Sequence, residues 1–178
     1  MEIKKAALIF FTLLLGFNLQ AQKIRSSKGE VSFFSEAPIE DIAADAKKIK
    51  GIINTLDSSI AIVVYIDDFS FDKELMEEHF NENYMETPKF PLAKFTGKLN
   101  KSINLTVDGT FPIATTGALT IHGVTQKRTL TGTATIKNGV LTIKTNFKVK
   151  LVDHEIKIPS ILITNIAEVI DVDAMLTF

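Results

Sequence analysis

The sequence predicts an all-β, mainly antiparallel fold: a single barrel of about eight strands with one short helix. Three observations carry this expectation. After residue 21, most of the chain alternates apolar and polar residues with period two, as half-buried strands do. One stretch only, Asp72 to Asn81, switches to helical spacing. Lys137-Asn138-Gly139-Val140 reads as a two-residue hairpin turn between alternating runs, because Asn-Gly accepts the positive φ angles of a type I′ turn. Antiparallel meanders of this kind remove their exposed edges by closing into a barrel.

The first 21 residues stand apart. MEIKKAALIFFTLLLGFNLQA has Lys4 and Lys5, then an apolar run from Ala6 to Phe17, then a short polar-to-small stretch. That is the layout of a secretory signal peptide, with cleavage expected after Ala21. The run falls short of the roughly 20 apolar residues that a membrane-spanning helix needs. The expected mature protein is therefore one domain, 22–178, exported to the periplasm or secreted.

Composition narrows the function classes. The chain has no cysteine, which removes thiol catalysis, thiolate metal sites and a lipid-modified N-terminus. A net charge of −1 and no basic block argue against nucleic acid as a partner. Tryptophan is absent and phenylalanine dominates the aromatics. Phe supplies bulk without a polar handle, which suits a purely apolar lining.

Strands are expected at Glu30 to Ser35, Ser59 to Asp67 and Leu92 to Leu99, while Ile42 to Lys50 reads as either helix or strand. The helix at Asp72 to Asn81 has Asp72 available as a cap and places Leu75, Met76, His79 and Phe80 on one face. Asn81 to Phe90 is a loop closed by Pro88 and Pro91. Further strands are expected at Glu155 to Ile158, Ile161 to Asn165 and Glu168 to Phe178.

The Asn138-Gly139 turn sets a register. Lys137 faces Val140, so Ile136 faces Leu141, Ala134 faces Ile143, Gly132 faces Thr145 and Leu130 faces Phe147 on one nearly apolar face. The opposite face carries Thr129, Thr131, Thr133 and Thr135, and a slip of one residue would scramble both. A four-residue loop at Gly123 to Gln126 extends the meander: Leu119 then faces Leu130, Gly117 faces Gly132 and Ile121 faces Arg128. His122 falls on the polar outer face opposite Lys127.

With these hairpins in place, LTIHGVTQKRTLTG resembles the signature hairpin of the YceI-like proteins. GEVSFFSEAP, FSFDKELMEEHFNENYMETPKFPLAKFTGKL and FKVKLVDHEIKIPSILITNI are similar to further stretches of that family, so the resemblance covers about residues 26 to 178. The chain departs from the pattern at Arg128, where a proline or aliphatic residue is usual, and at the Ala- and Lys-rich Ile42 to Lys50. The resemblance implies an exported, lipocalin-like barrel that binds a polyisoprenoid lipid without turning it over. The expected function is sequestration or transport of an isoprenoid or quinone-like amphiphile, the one bound group expected. No stable membrane span is expected, and a homodimer stays open. The rival reading is a stress-response or interaction protein with a packed barrel core.

The expected apolar lining is Phe33, Ile62, Val64, Met76, Phe80, Phe95, Leu119, Ile121, Leu130, Ile143, Phe147 and Val172, with Tyr84 and Met85 flanking the helix. Arg128, the one charge on the apolar face, is the head-group candidate: its guanidinium could meet a quinone oxygen or a phosphate. No catalytic residue is expected, since no G-x-S-x-G occurs and the carboxylate pairs are sequence neighbours that face apart. No metal site is expected either. His79, His122 and His154 lie on separate elements, His122 at the rim and His154 in a solvated turn.

Overall fold

The computed structural model describes residues 23–36, 41–158 and 167–178. The expected signal peptide, 1–21, and the strand expected at Ile161 to Asn165 lie outside these residues.

The described chain forms one antiparallel sheet. Its strands are β1 (Lys23–Arg25), β2 (Lys28–Ser35), β3 (Ile42–Ala46), β4 (Ile49–Asn54), β5 (Ser59–Tyr65), β6 (Ser70–Phe71), β7 (Leu92–Leu99), β8 (Gly109–Ile121), β9 (Val124–Lys137), β10 (Val140–Lys150) and β11 (Val169–Thr177). The order across the sheet is β1-β4-β5-β7-β8-β9-β10-β11-β2-β3-β6. Among the described residues a single α-helix, α1 (Glu74–His79), runs on as a π-helical turn, Phe80–Tyr84. Short 3-10 turns occupy Ile66–Asp68 and Leu151–His154.

Eleven strands replace the expected eight or so, and the reason is local bending. Lys23 faces Asn54, and Val31 faces Ala46, which is the same offset. The segments 23–35 and 42–54 are therefore one long hairpin, broken in its middle and counted as four strands. One half of this hairpin joins β5, and the other joins β11. β1 and β4 at one end of the sheet and β2 and β3 beside β6 at the other thus belong to the same hairpin, and the sheet curls round. Asp68 serves the break: its Oδ2 accepts the backbone N–H groups of Lys47 at 2.7 Å and Lys48 at 2.6 Å. These two donors have left the ladder and would otherwise be unpaired. The two-residue β6 accounts for one more strand.

The β9–β10 hairpin has the expected register from Val140–Lys137 to Thr145–Gly132. There the ladder ends, so the expected Leu130–Phe147 pair does not form. The β8–β9 hairpin needs a larger correction. Its turn has two residues, His122 (φ 51°) and Gly123 (φ 75°), which is the type I′ pattern. Histidine is among the side chains that tolerate this left-handed region better than most. Leu119 consequently faces Gln126, Gly117 faces Arg128 and Ile121 faces Val124. The register has slid by four residues, from Leu130 to Gln126 opposite Leu119. An even slide keeps the strand side chains on their faces while their partners change, and only His122, now in the turn, leaves the outer face expected of it.

One open reading is settled and two further corrections are local. Ile42 to Lys50 is extended, forming β3 and the start of β4. The residue capping α1 is Lys73 and not Asp72, and its side chain makes no capping bond. No strand forms at Glu155 to Ile158, because Glu155 takes a left-handed φ of 56° directly after the 3-10 turn. The core has two adjoining clusters, one around Ile53, Phe95 and Leu141 and the other around Ala46, Ile49 and Leu176. Among the described residues, no helix is long and apolar enough to cross a membrane.

Candidate functional site: an apolar cavity with a stitched wall

Inside the curl lies a cavity of about 360 Å³. All twelve apolar candidates line it. Phe33 comes from β2, Ile62 and Val64 from β5, Phe95 from β7, and Leu119 and Ile121 from β8. Leu130 comes from β9, Ile143 and Phe147 from β10, and Val172 from β11, while Met76 and Phe80 reach in from α1 and the π turn. Strand alternation puts every second residue inside, which is why the faces were readable.

Sequence reading missed Phe69 and Phe71. Their rings meet Phe80 at centroid distances of 5.5 and 5.1 Å, and Phe33 meets Phe69 and Phe80 at 5.3 and 5.6 Å. The signal was there: Phe69-Ser70-Phe71 alternates like a short strand. Also missed were Leu151 and Ile156, which line the cavity from either side of the buried His154.

Polar groups on the lining are few: Ser35, His79, Tyr84, Lys94 and Thr145. Ser35 Oγ accepts the backbone N–H of Ala167, and the Thr145 hydroxyl donates to the carbonyl of Thr131. Lys94 alternates with the inward Ala93 and Phe95, so its ammonium group points away from the cavity. Burial pushes the Tyr84 phenol above its ordinary pKa. The interior is thus a hydrocarbon surface with polar groups at isolated points.

Arg128 does not line the cavity. Its Nη2 donates to the carbonyl of Lys148 at 2.6 Å, and its Nη1 stands 3.9 Å from an Asp153 carboxylate oxygen. This bond crosses the place where β9 and β10 have parted. Three more side chains span the same seam. Gln126 Nε2 donates to the Asp153 carbonyl at 2.8 Å. His154 Nδ1 lies 3.1 Å from the Val124 carbonyl, and His122 Nδ1 lies 3.2 Å from the His154 carbonyl. A carbonyl can only accept, so each Nδ1 carries the proton.

Neither histidine is where alternation put it. His122 is 9% exposed, packed edge-on against Phe90 with ring centroids 4.4 Å apart. Its Nε2 stands 3.3 Å from Glu86 Oε1, near enough for an ion pair with a protonated ring but not aligned for a hydrogen bond. His154 is 0% exposed, and its buried Nε2 makes no hydrogen bond. Burial holds the His154 pKa below the ordinary 6.5, against the opposing pull of the Val124 and Ile121 backbone. Both histidines were misplaced because the seam is a tertiary feature: the 3-10 turn at Leu151–His154 fills the gap between two strands that sequence alone would pair. Among the described residues, no group of three or more metal-ligating side chains is close enough to hold an ion.

A curled antiparallel sheet around a hydrocarbon-lined cavity is, by class, a half-barrel fold with an apolar interior. The family model described as the YceI-like domain matches residues 22–178, and the chain belongs to that family. Solved structures share the fold at low identity. BcnA of Burkholderia cenocepacia is 15% identical with a TM-score of 0.70, over 84% of this chain and 96% of that one. A polyisoprenoid binding domain from Saccharophagus degradans is 13% identical with a TM-score of 0.74, over 88% and 98%. The YCEI protein of Campylobacter jejuni is 18% identical with a TM-score of 0.55, over 92% and 91%. No curated protein sequence matches the chain.

Proposed function

We propose that this protein is an exported carrier that holds the apolar chain of an isoprenoid or quinone-like amphiphile in its cavity, for sequestration or transport, and does not transform it. The carrying observation is the cavity of about 360 Å³, walled almost wholly by aliphatic and Phe side chains. Its size lies within the range of about 300–1,000 Å³ typical of small-molecule sites. The family supports the reading, as does the Saccharophagus relative, described as a polyisoprenoid binding domain. At roughly 30 Å³ per water-sized group, the space holds on the order of a dozen methylene-like groups, or two to three isoprene units. Burying them would contribute on the order of 10 kcal/mol, at about 0.8 kcal/mol each. The cost of association, at least about 4 kcal/mol, offsets part of that. The hydrophobic segment at 6–17 supports export to the periplasm or beyond.

Native mass spectrometry of protein purified without added lipid tests this. The expected result is a co-purifying apolar species, or uptake of an added isoprenoid alcohol or short-tailed quinone with one molecule per chain. Absence of both would leave a barrel that binds no such ligand.

A further inference from the structure

The wall of the cavity is not continuous. β9 runs to Val124 and β10 to Lys150, yet their mutual ladder stops at Gly132 and Thr145. Beyond that point the two strands are joined only by side chains. Leu130 and Phe147 line the cavity where the ladder ends, and Leu151 and Ile156 line it from the turn that fills the gap.

From this seam we infer a lateral port: acid releases the Leu151–His154 turn, and the apolar chain enters or leaves between β9 and β10. The inference rests on the cavity being a binding site. His154 is the group that would respond. It is wholly buried, its Nδ1 is committed to Val124, and its Nε2 makes no hydrogen bond. A second ring proton would therefore bring a charge into a buried setting, whose desolvation outweighs the favourable pull of the Val124 and Ile121 backbone. The charges around it do not cancel this. From its own turn come Asp153 and Glu155, and Asp153 favours the charged ring. From β9 comes Arg128, which disfavours it. From the hairpin turn comes His122, which holds the His154 carbonyl, with Glu86 and its partner Lys89 beyond it. Lys148 of β10 is already paired with Asp171 at 2.7 Å. Opening the turn lets the ring reach water and removes three side-chain bonds across the seam at once, while the β8–β9 and β10–β11 ladders stay intact.

The test uses amide exchange on ligand-free protein. The Ile156 and Glu155 amides bond to the Leu151 and Val152 carbonyls, so their protection reports the turn directly. Between about pH 7.5 and about pH 5 their protection factors should fall, by at most about tenfold per pH unit, the limit for one linked proton. Amides within the β10–β11 ladder should not change. His154→Asn, whose amide can still donate to the Val124 carbonyl but does not titrate, should abolish the fall. In wild type, protection should begin to fall near the ordinary imidazole pKa of about 6.5, while the His154 ring followed by NMR should titrate below it, which secures the result should the variant fold poorly. A second arm loads farnesol at neutral pH and follows its release on acidification by native mass spectrometry. Protection independent of pH, or an equal fall in His154→Asn, would overturn the port. An acid-sensitive turn in a protein that takes up no farnesol at any pH would overturn the binding reading and leave the seam without a cargo.

Discussion

Gly97 and Gly117 face each other across the β7–β8 ladder, so closely that a Cβ on Gly117 would sit 2.6 Å from Gly97 Cα and collide with the Thr96 carbonyl. The backbone of β7, not a flexible side chain, blocks that space. Replacing Gly117 with alanine must push the strands apart, and overpacking of this kind costs on the order of 3 kcal/mol. Gly139 is the contrasting case. Nothing lies within 4 Å of its hypothetical Cβ, and its only obstacle is a φ of 78°. Gly139→Ala should cost only about 1 kcal/mol, the penalty of left-handed backbone. Urea unfolding of the two variants should show the larger loss at Gly117. Equal losses would mean that β7 and β8 separate without cost.

Asp68 holds the bend in the first hairpin through two backbone N–H donors and Lys48 Nζ at 3.3 Å. Those bonds, led by the Lys48 amide, lower its pKa below the ordinary 3.8. The lowered folded pKa means that its stabilisation is fully present above 3.8 and is lost as pH falls through the folded pKa. Asp68→Ala should lose about 2 kcal/mol at neutral pH, because charge-assisted bonds are replaced by two stranded donors. Near pH 2 the gap between variant and wild type should narrow. A gap that stays constant down to that pH would show that the carboxylate charge contributes nothing.

How far the sequence reached follows from what alternation can and cannot encode. Period two assigns a residue to a face, so Phe33, Ile62, Leu119 and Val172 could be placed inside without a register. Where a residue sits along the strand depends on the turn, and His122-Gly123 is a less obvious type I′ pair than Asn138-Gly139. That ambiguity moved the partner of Leu119 by four residues without moving Leu119 off its face. The parting of β9 and β10 left no local trace, because Leu130 and Phe147 keep their alternation while losing their partners. His154 could not be read as buried for the same reason: what covers it is the far end of β9, where it bonds Val124 thirty residues away.

Leu130 stands on the cavity side of that seam, half-buried where the ladder has just ended. An indole there has empty volume to enter, so Leu130→Trp should keep stability within about 1 kcal/mol of wild type. It should also displace ligand, and uptake of farnesol should fall at least about tenfold, or about 1.4 kcal/mol. Undiminished uptake with an unchanged melting temperature would mean that the ligand lies elsewhere.

Arg128 distinguishes a wall residue from a head-group reader. Its Nη2 bond to the Lys148 carbonyl gives it a part in closing the seam, and its absence from the lining takes it away from an enclosed chain. Removing it should cost about 1–2 kcal/mol of stability, the worth of one charge-assisted bond. The consequence for ligand should be blind to head group. Arg128→Ala should change the affinities of farnesol and farnesyl phosphate by the same factor, because what changes is the wall and not a contact to oxygen. Arg128→Lys keeps the charge but loses the planar fork, so it should resemble Arg128→Ala in stability. A loss confined to the phosphate, rescued by lysine, would reverse the assignment and make Arg128 the residue that meets the head group.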